Sequence, residues 1–279
     1  VTGIPNNEYT LFKGVPYASP PVGKLRLCAP VDPQPWKGKK GCVEWGSPSV
    51  QRHMVWLERK NAPVVWEGNE DCLYLNIWTP AEKSDENLPV VFWIHGGGFG
   101  IGSSFQDWFD GAAWSKHGVI LVTVGYRLNA LGFFGIKELA KRDEHGSTGN
   151  YGIMDIFKAL QWVNENIAAF GGDPENIAIA GQSSGAMATR WLLGCKPAKG
   201  LFQHAIAQSG GGTWDIDPIL PFEEKCAYTQ KVMDLVGWTL DDVLSKDAHE
   251  VCLTLDSVVP KLKKKKKSLR ANLFQPSMD

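Results

Sequence analysis

The chain has 279 residues and a formal net charge of −1, with 29 basic against 30 acidic side chains. This balance gives no general attraction to nucleic acid or to an anionic membrane, and no apolar run approaches the about 20 residues of a membrane span. With 43% hydrophobic residues, including 12 Trp and 12 Phe, the chain is expected to be globular. Its first residues, VTGIPNNEYT, lack a charged segment followed by an apolar one, so no signal peptide is recognisable there.

Apolar runs in the first two thirds of the chain predict β-strands at residues 88–94, 118–124 and 176–180. Because these runs are almost continuously apolar, they favour a parallel sheet that is covered on both faces. A helix is predicted between the second and third strands, where Gly171-Gly172-Asp173-Pro174 would end it. Apolar residues recur at helical spacing in that helix, at Ile153, Ile156, Phe157, Leu160, Val163 and Ile167. Strand, helix and strand in this order predict a doubly wound α/β sheet.

The remainder of the chain predicts a helix ending at Leu193, a strand near residues 205–208 and helical segments from about Phe222. The basic run from Lys261 to Lys267 is interpreted as a solvated loop, since like charges repel. A patch that binds phosphate or a membrane is the alternative, but neither interleaved aromatic residues nor a second basic cluster favours it. The Trp-rich stretch from Trp56 to Trp66 suggests an apolar rim of a binding pocket.

Residues 181–185, Gly181-Gln182-Ser183-Ser184-Gly185, fit the pattern G-x-S-x-G between a predicted strand and a predicted helix. That context is typical of a nucleophile elbow, in which a sharp turn exposes the serine above the edge of the sheet. A serine hydroxyl needs a neighbouring base to become a nucleophile, and its reaction needs donors aimed at the oxyanion that forms. In a chain with 30 glycines the pattern also arises by chance.

A second motif favours the catalytic interpretation. Residues 95–99, His95-Gly96-Gly97-Gly98-Phe99, directly follow the first predicted strand, as the loop that donates oxyanion N–H groups does in esterases. Consecutive glycines let the backbone approach a bound carbonyl closely. A flexible turn is the alternative for this motif alone, but the two motifs together predict an esterase-type nucleophile at Ser183.

With these motifs the sequence resembles the type-B carboxylesterases, the α/β-hydrolase family that includes cholinesterases and bile-salt lipases. The resemblance runs from Phe12 to the last residue, in family order. The further matches are Phe12-Lys13-Gly14-Val15-Pro16-Tyr17-Ala18, Glu70-Asp71-Cys72-Leu73-Tyr74-Leu75-Asn76, Tyr126-Arg127-Leu128, Gly149-Asn150-Tyr151-Gly152, Phe170 to Pro174, and Phe274-Gln275-Pro276-Ser277-Met278-Asp279. The resemblance implies one α/β-hydrolase domain over residues 1–279, with a mostly parallel central sheet, helices on both faces and the C-terminal part missing.

The resemblance also implies roles for individual residues. Ser183 would be the acylated nucleophile, and the backbone N–H groups of Gly97, Gly98 and Ser184 would form the oxyanion hole. Two buried ion pairs would hold loops to the sheet, Arg26 with Glu70 and Arg127 with Asp173. The reaction would be ester hydrolysis through an acyl-serine intermediate, without a metal or an organic cofactor.

Some features depart from the family pattern. Gln182 stands where the family usually has Glu, which argues against cationic choline esters and favours neutral ones. In the family the catalytic acid and histidine lie beyond the final matched segment, so they are expected in a C-terminal half outside this chain. His204 and His249, the histidines after Ser183, are interpreted as packing or surface residues. The alternative function is a non-catalytic adhesion protein of the same fold, a class that loses the serine or the glycine loop.

Of the six cysteines, two match cysteines that the family bridges, and both lack the partner that the resemblance implies. Cys72 would be bridged in secreted animal members, but the partner region reads Pro48-Ser49-Val50-Gln51, and the partner position of Cys252 is Trp238. A bridge between Cys42 and Cys72 stays open, because sequence does not fix pairing. Unpaired cysteines suit a reducing compartment, so a cytoplasmic enzyme is expected, with a secreted one as the alternative.

Overall fold

The computed structural model describes residues 1–53, 65–144, 146–210, 220–263 and 274–278. The strands are β1 (Ile4–Pro5), β2 (Thr10–Pro16), β3 (Gln51–Arg52), β4 (Trp66–Glu67), β5 (Tyr74–Thr79), β6 (Leu88–Ile94), β7 (Ile120–Val124), β8 (Gly172–Gln182), β9 (His204–Gln208), β10 (Leu220–Pro221) and β11 (Ser277–Met278). The α-helices are α1 (Ala112–Ser115), α2 (Asn129–Phe133), α3 (Lys137–Ala140), α4 (Tyr151–Asn166), α5 (Ser184–Gly194), α6 (Phe222–Val236), α7 (Leu240–Ser245) and α8 (Ala248–Lys263). Short 3₁₀ helices lie at Gly23–Leu25, Asp107–Phe109, Ile167–Phe170 and Lys196–Ala198.

The central sheet has seven strands in the order β1-β2-β5-β7-β6-β8-β9. The four strands from β7 to β9 run parallel, and they include all the strands that the sequence predicts. On the other side, β5, β2 and β1 add antiparallel pairs. The predicted α/β sheet is therefore confirmed, with an antiparallel extension that the apolar runs do not reveal.

The predicted helix is α4, and it ends as the glycines indicate. A 3₁₀ turn (Ile167–Phe170) continues it, and Gly171 then adopts a left-handed conformation with φ of 82°. Gly172, predicted as part of the turn, already belongs to β8, because it pairs with Leu88 of β6.

The two faces of the sheet are covered unequally. Phe92, Val122 and Ile179 point to one face, where they join the main core with the apolar sides of α4 and α5. The other face carries a small cluster of Trp78, Val91, Leu121 and Ala180, with the short helix α1 packed on β5 and β7. At the edge, every residue of β9 is exposed.

Arg26 pairs with Glu70, as the family resemblance implies. The guanidinium Nε lies 2.7 Å from Glu70 Oε1, and Nη2 lies 2.5 Å from Glu70 Oε2. Nη1 also donates to the carbonyls of Val243 and Lys246, at 3.1 and 2.6 Å. This ion pair therefore ties α7 to the first part of the chain.

The expected pair of Arg127 with Asp173 is wrong. Arg127 binds Asp155 of α4 instead, through Nε at 2.8 Å and Nη2 at 2.7 Å. Asp155 lies on the buried side of α4, so its carboxylate faces the buried guanidinium. Asp173 lies at the start of β8 and accepts the backbone N–H of Glu175, which is a local turn contact.

Two other expectations fall partly outside the described residues. The basic run is not simply a loop, because residues 261–263 form the last turn of α8, and residues 264–267 lie outside the described ranges. Of the stretch from Trp56 to Trp66, residues 56–64 lie outside those ranges, and Trp66 is half-buried in β4. All six cysteines are described, and each is a free thiol, so Cys42 and Cys72 are not bridged.

Candidate active site

Ser183 lies at a tight turn between β8 and α5. Its backbone has φ of 55° and ψ of −123°, a conformation that costs energy for any residue with a side chain. The flanking glycines allow this turn, since a Cβ on Gly181 would lie 2.4 Å from the backbone of Gly185. A Cβ on Gly185 would lie 2.1 Å from the carbonyl oxygen of Ile94. The pattern G-x-S-x-G therefore has a steric cause here.

The glycine loop lies against this turn because β6 and β8 are neighbouring strands, with Ile94 opposite Gly181. A Cβ on Gly96 would lie 3.2 Å from Ser183 Cβ, so a side chain at this position of the loop would crowd the serine. The backbone N–H of Phe99 donates to Ser184 Oγ at 3.3 Å. The structure thus brings the two predicted motifs together.

The predicted oxyanion donors lie on the two sides of this junction. Gly97 and Gly98 have φ of 109° and 62°, a region that favours glycine, and a Cβ on Gly97 would lie 1.9 Å from the carbonyl oxygen of Ile101. Ser184 is the first residue of α5, and the first N–H groups of a helix have no partner within the helix. The role of these three residues as donors stays a prediction.

His95 supports the loop from within the core. Its ring stacks on Tyr126 with 4.4 Å between centroids, and the Nδ1–H group donates a hydrogen bond to the carbonyl oxygen of Gly96 at 2.8 Å. Burial lowers the pKa of His95 to about 4, although the bond to Gly96 opposes this shift. Tyr126 donates its hydroxyl to the His95 carbonyl at 2.8 Å. The ring is therefore neutral at neutral pH and acts as packing for the loop.

An open cavity of about 560 Å³ borders the glycine loop and Gln182. Its aromatic lining consists of Trp93, Trp108, Phe109 and Trp114. The polar side chains in its lining are Gln106, Gln182 and Gln208, and among the described residues no charged side chain lines it. This environment suits an uncharged, apolar group beside the glycine loop and Gln182.

The histidines that follow Ser183 in the chain lie away from it. In the pairing of β8 with β9, Gln182 is opposite Gln208, whereas His204 is opposite Ala178. His204 is thus four residues further along the strand, about 13 Å away at 3.3 Å per residue. His249 lies in α8, where its Nε2 is 2.9 Å from the carbonyl oxygen of Gly68. Neither geometry provides a base for Ser183.

No group of three or more His, Cys, Asp or Glu side chains within the described ranges is arranged to hold a metal ion. In the same part of the chain, no helix is both long and apolar enough to cross a bilayer.

Comparison with known proteins identifies the family. The sequence model of the carboxylesterase family matches residues 1–269, which is nearly the whole chain. The chain belongs to the carboxylesterase family. This carboxylesterase-family chain is 38% identical to the fumonisin B1 esterase of Sphingopyxis macrogoltabida over 211 residues, which are 76% of the chain and 38% of that protein. It is 41% identical to the para-nitrobenzyl esterase of Bacillus subtilis over 212 residues, 75% of the chain and 42% of that protein.

Solved structures of carboxylesterases share its fold. A carboxylesterase of Geobacillus stearothermophilus superposes with a TM-score of 0.79 at 38% identity, over 92% of this carboxylesterase-family chain and 52% of the other. A thermophilic para-nitrobenzyl esterase gives a TM-score of 0.84 at 33% identity, over 99% of this chain and 55% of the other. The predicted α/β-hydrolase fold is thereby confirmed. The chain spans about half the length of these structures and less than half of the two relatives above.

Sequence reasoning missed two carboxamides behind the glycine loop, Gln51 and Asn129. Gln51 closes the Pro48-Ser49-Val50-Gln51 stretch, and Asn129 follows the Tyr126-Arg127-Leu128 match. Their position next to family motifs is a signal, but their partners are distant in sequence. Gln51 binds Gly102, which is 51 residues away.

Proposed function

We propose that this carboxylesterase-family chain carries the nucleophile and the oxyanion hole of an enzyme that hydrolyses neutral carboxylic esters through an acyl-serine intermediate. The observation that carries the proposal is the position of Ser183, held at φ of 55°, beside a loop of three glycines that follows the adjacent strand. A structural serine has no need of either the strained turn or the glycine loop.

In this mechanism Ser183 Oγ attacks the carbonyl carbon of the ester while its proton passes to a histidine base. The carbonyl oxygen becomes an oxyanion, which accepts hydrogen bonds from the N–H groups of Gly97, Gly98 and Ser184. Collapse of this intermediate breaks the bond to the alkoxy oxygen, which takes the proton from the histidine. Water then attacks the acyl-serine by the same route and releases the acid.

We propose that the substrate is neutral close to the reacting bond. Gln182, next to the nucleophile, lines the cavity with Gln106 and Gln208, so the polar groups there are uncharged amides. An ammonium group would find no opposite charge among the described lining residues. The aromatic side chains favour an apolar acyl or alcohol group.

The base and the acid that orients it are proposed to lie outside these 279 residues. Two observations support this. His204 and His249 are both placed away from Ser183, and the related esterases are about twice as long as the matched part. A non-catalytic adhesion protein of the same fold is less well supported, because both the serine and the glycine loop are present.

The test is labelling of the natural protein that contains this sequence with a fluorophosphonate, together with turnover of a short neutral aryl ester. Ser183→Ala should abolish both, and Ser245→Ala, which removes an exposed hydroxyl in α7, should leave both unchanged. The 279-residue chain alone should be nearly silent, since loss of the base costs about as much as loss of the whole triad, roughly a million-fold in a protease. Persistent labelling of Ser183→Ala would place the nucleophile elsewhere.

A further inference from the structure

The glycine loop folds back on itself before it leaves the site. The N–H groups of Gly100 and Ile101 both donate to the carbonyl oxygen of Gly97, at 3.1 Å. Gly102 then returns to the start of the loop, where a Cβ on it would lie 2.5 Å from His95 Nδ1 and 2.7 Å from the Gly96 carbonyl oxygen. The position of the Gly102 peptide therefore constrains His95 and Gly96, and through them Gly97.

Gln51 of β3 binds both backbone polar groups of Gly102. Its Oε1 accepts the Gly102 N–H at 2.6 Å, and its Nε2 donates to the Gly102 carbonyl at 2.8 Å. The same Nε2 donates to the Ser49 carbonyl at 3.2 Å, and the side chain is only 1% exposed. Gln51 thus comes from a separate strand and binds the loop as a reciprocal pair of buried hydrogen bonds.

Asn129 holds the middle of the loop. Its backbone N–H donates to the Phe99 carbonyl at 2.9 Å, and its Nδ2 donates to the Gly100 carbonyl at 2.8 Å and the Val50 carbonyl at 3.0 Å. Its own φ is 53°, a conformation that asparagine tolerates better than most residues. Asn129 therefore links the loop to the segment that carries Gln51.

These contacts matter because glycine is the most flexible residue and has no side chain to hold it in place. Oxyanion donors stabilise a transition state only when they are aimed before the reaction begins. Side chains outside the loop must therefore help to fix the conformation of its glycines.

We propose that Gln51 and Asn129 form a carboxamide clamp that positions the N–H groups of Gly97 and Gly98 for oxyanion stabilisation. The proposal rests on the ester hydrolase function argued above. Neither side chain touches the reacting atoms, so both are positioning residues. Their loss lowers the rate of the chemical step and leaves substrate binding nearly unchanged.

The experiment compares Gln51→Glu and Asn129→Asp in the natural protein with a matched control. Each variant keeps the shape of the side chain but turns an oxygen, in place of the amide NH₂, toward a loop carbonyl. Asn76→Asp is the control, because Asn76 is as buried as Gln51 and its Nδ2 donates to Ser104 and Thr123, outside the glycine loop. Gln51→Met, which is neutral and of similar length, serves if a charged variant does not fold.

The clamp variants should lower kcat about 10- to 100-fold with little change in KM, as expected when oxyanion donors are misplaced. The control should lower the thermal midpoint to a similar extent but keep kcat. Equal kcat in clamp and control variants of equal thermal stability would overturn the proposal, as would a change confined to KM. Ser183→Ala is measured in parallel: if it stays active, the ester hydrolase function fails, and if it is inactive while clamp variants match the control, only the clamp fails.

Discussion

The Arg127 guanidinium is buried in the core and lies against the Asp155 carboxylate. Its Nη1 also donates to the Cys28 carbonyl at 2.8 Å, and the Asp155 carboxylate accepts the Arg127 backbone N–H at 3.0 Å. Removing either partner of this ion pair would leave the other charge buried and unpaired, which is strongly unfavourable.

Asp155→Ala should therefore lower the free energy of unfolding by about 3 to 5 kcal/mol. Asp173→Ala should cost about 1 kcal/mol or less, because it removes a turn hydrogen bond at the surface. Urea unfolding of both variants would measure the difference. Equal losses in the two variants would contradict the pairing of Arg127 with Asp155.

Burial of His95 makes the free energy of unfolding fall as the pH falls. In the unfolded chain its pKa is about 6.5, whereas burial lowers the folded pKa to about 4. Between these values the unfolded state binds more protons than the folded one. The contribution of neutral, buried His95 to the free energy of unfolding is thus fully present above pH 6.5 and is lost as the pH falls toward 4.

His95→Asn keeps an amide donor near the position of Nδ1 but does not titrate. We expect the wild type to lose about 3 kcal/mol more than this variant between pH 7 and pH 4. Urea unfolding at pH 7, 5.5 and 4 measures the difference, and other titrating groups cancel in the comparison. Parallel pH profiles of the two proteins would refute it.

At the scale of secondary structure, the parallel strands could be predicted because their apolar runs reflect burial on both faces. β5 could not be predicted in this way, since polar Asn76 interrupts it. Asn76 is buried there only because Ser104 and Thr123 satisfy its amide across the sheet. The nucleophile elbow was readable because its glycines are dictated by local backbone geometry. Gln51 and Asn129 were not, because each binds a loop distant in sequence.

The Cys72 thiol, just before β5, lies beside a serine just before β3. Ser49, in the Pro48-Ser49-Val50-Gln51 stretch expected to hold the partner of Cys72, is buried and forms a side-chain hydrogen bond with the Cys72 thiol. Burial raises the pKa of that thiol, and the hydrogen bond with Ser49 partly offsets the rise.

Ser49→Cys should consequently form a disulfide with Cys72 under oxidising conditions. A bridge that closes a loop on the order of 20 residues constrains the unfolded chain by about 3 kcal/mol. The loss of the hydrogen bond from the Leu128 N–H to Ser49 Oγ, 3.0 Å long, offsets about 1 kcal/mol of this. Peptide mass mapping would identify the bridge, and thermal unfolding with and without reductant would measure its effect; an unbridged, unchanged protein would contradict the proximity.

At the scale of the whole molecule, the sheet formed by the described residues ends at the edge strand β9. Every residue of β9 is exposed, and Ile206 is 42% exposed although it lies in a parallel strand. Strands with unpaired backbone groups and apolar side chains associate with other chains.

The isolated 279-residue chain should accordingly self-associate through β9, and Ile206→Lys should raise its monomer fraction several-fold by adding a charge to that edge. Leu193→Lys is the matched control, since Leu193 is a similarly exposed apolar residue, 58% exposed, at the end of α5. Sedimentation velocity would measure the monomer fraction. A monomeric wild-type chain, or an equal effect of both substitutions, would be evidence against association at this edge.

The pairing of β6 with β8 fixes where the nucleophile and the glycine loop leave the sheet. Ser183 and the glycine loop both emerge from this one strand pair in the interior of the sheet, tied by the ladder that sets Ile94 opposite Gly181. The proposed donors Gly97 and Gly98 are thus anchored on β6, two strands in from the exposed edge strand β9. A displacement of β9 should therefore reach Ser183, whose N–H donates to the Gln208 carbonyl at 2.9 Å, before it reaches these two donors.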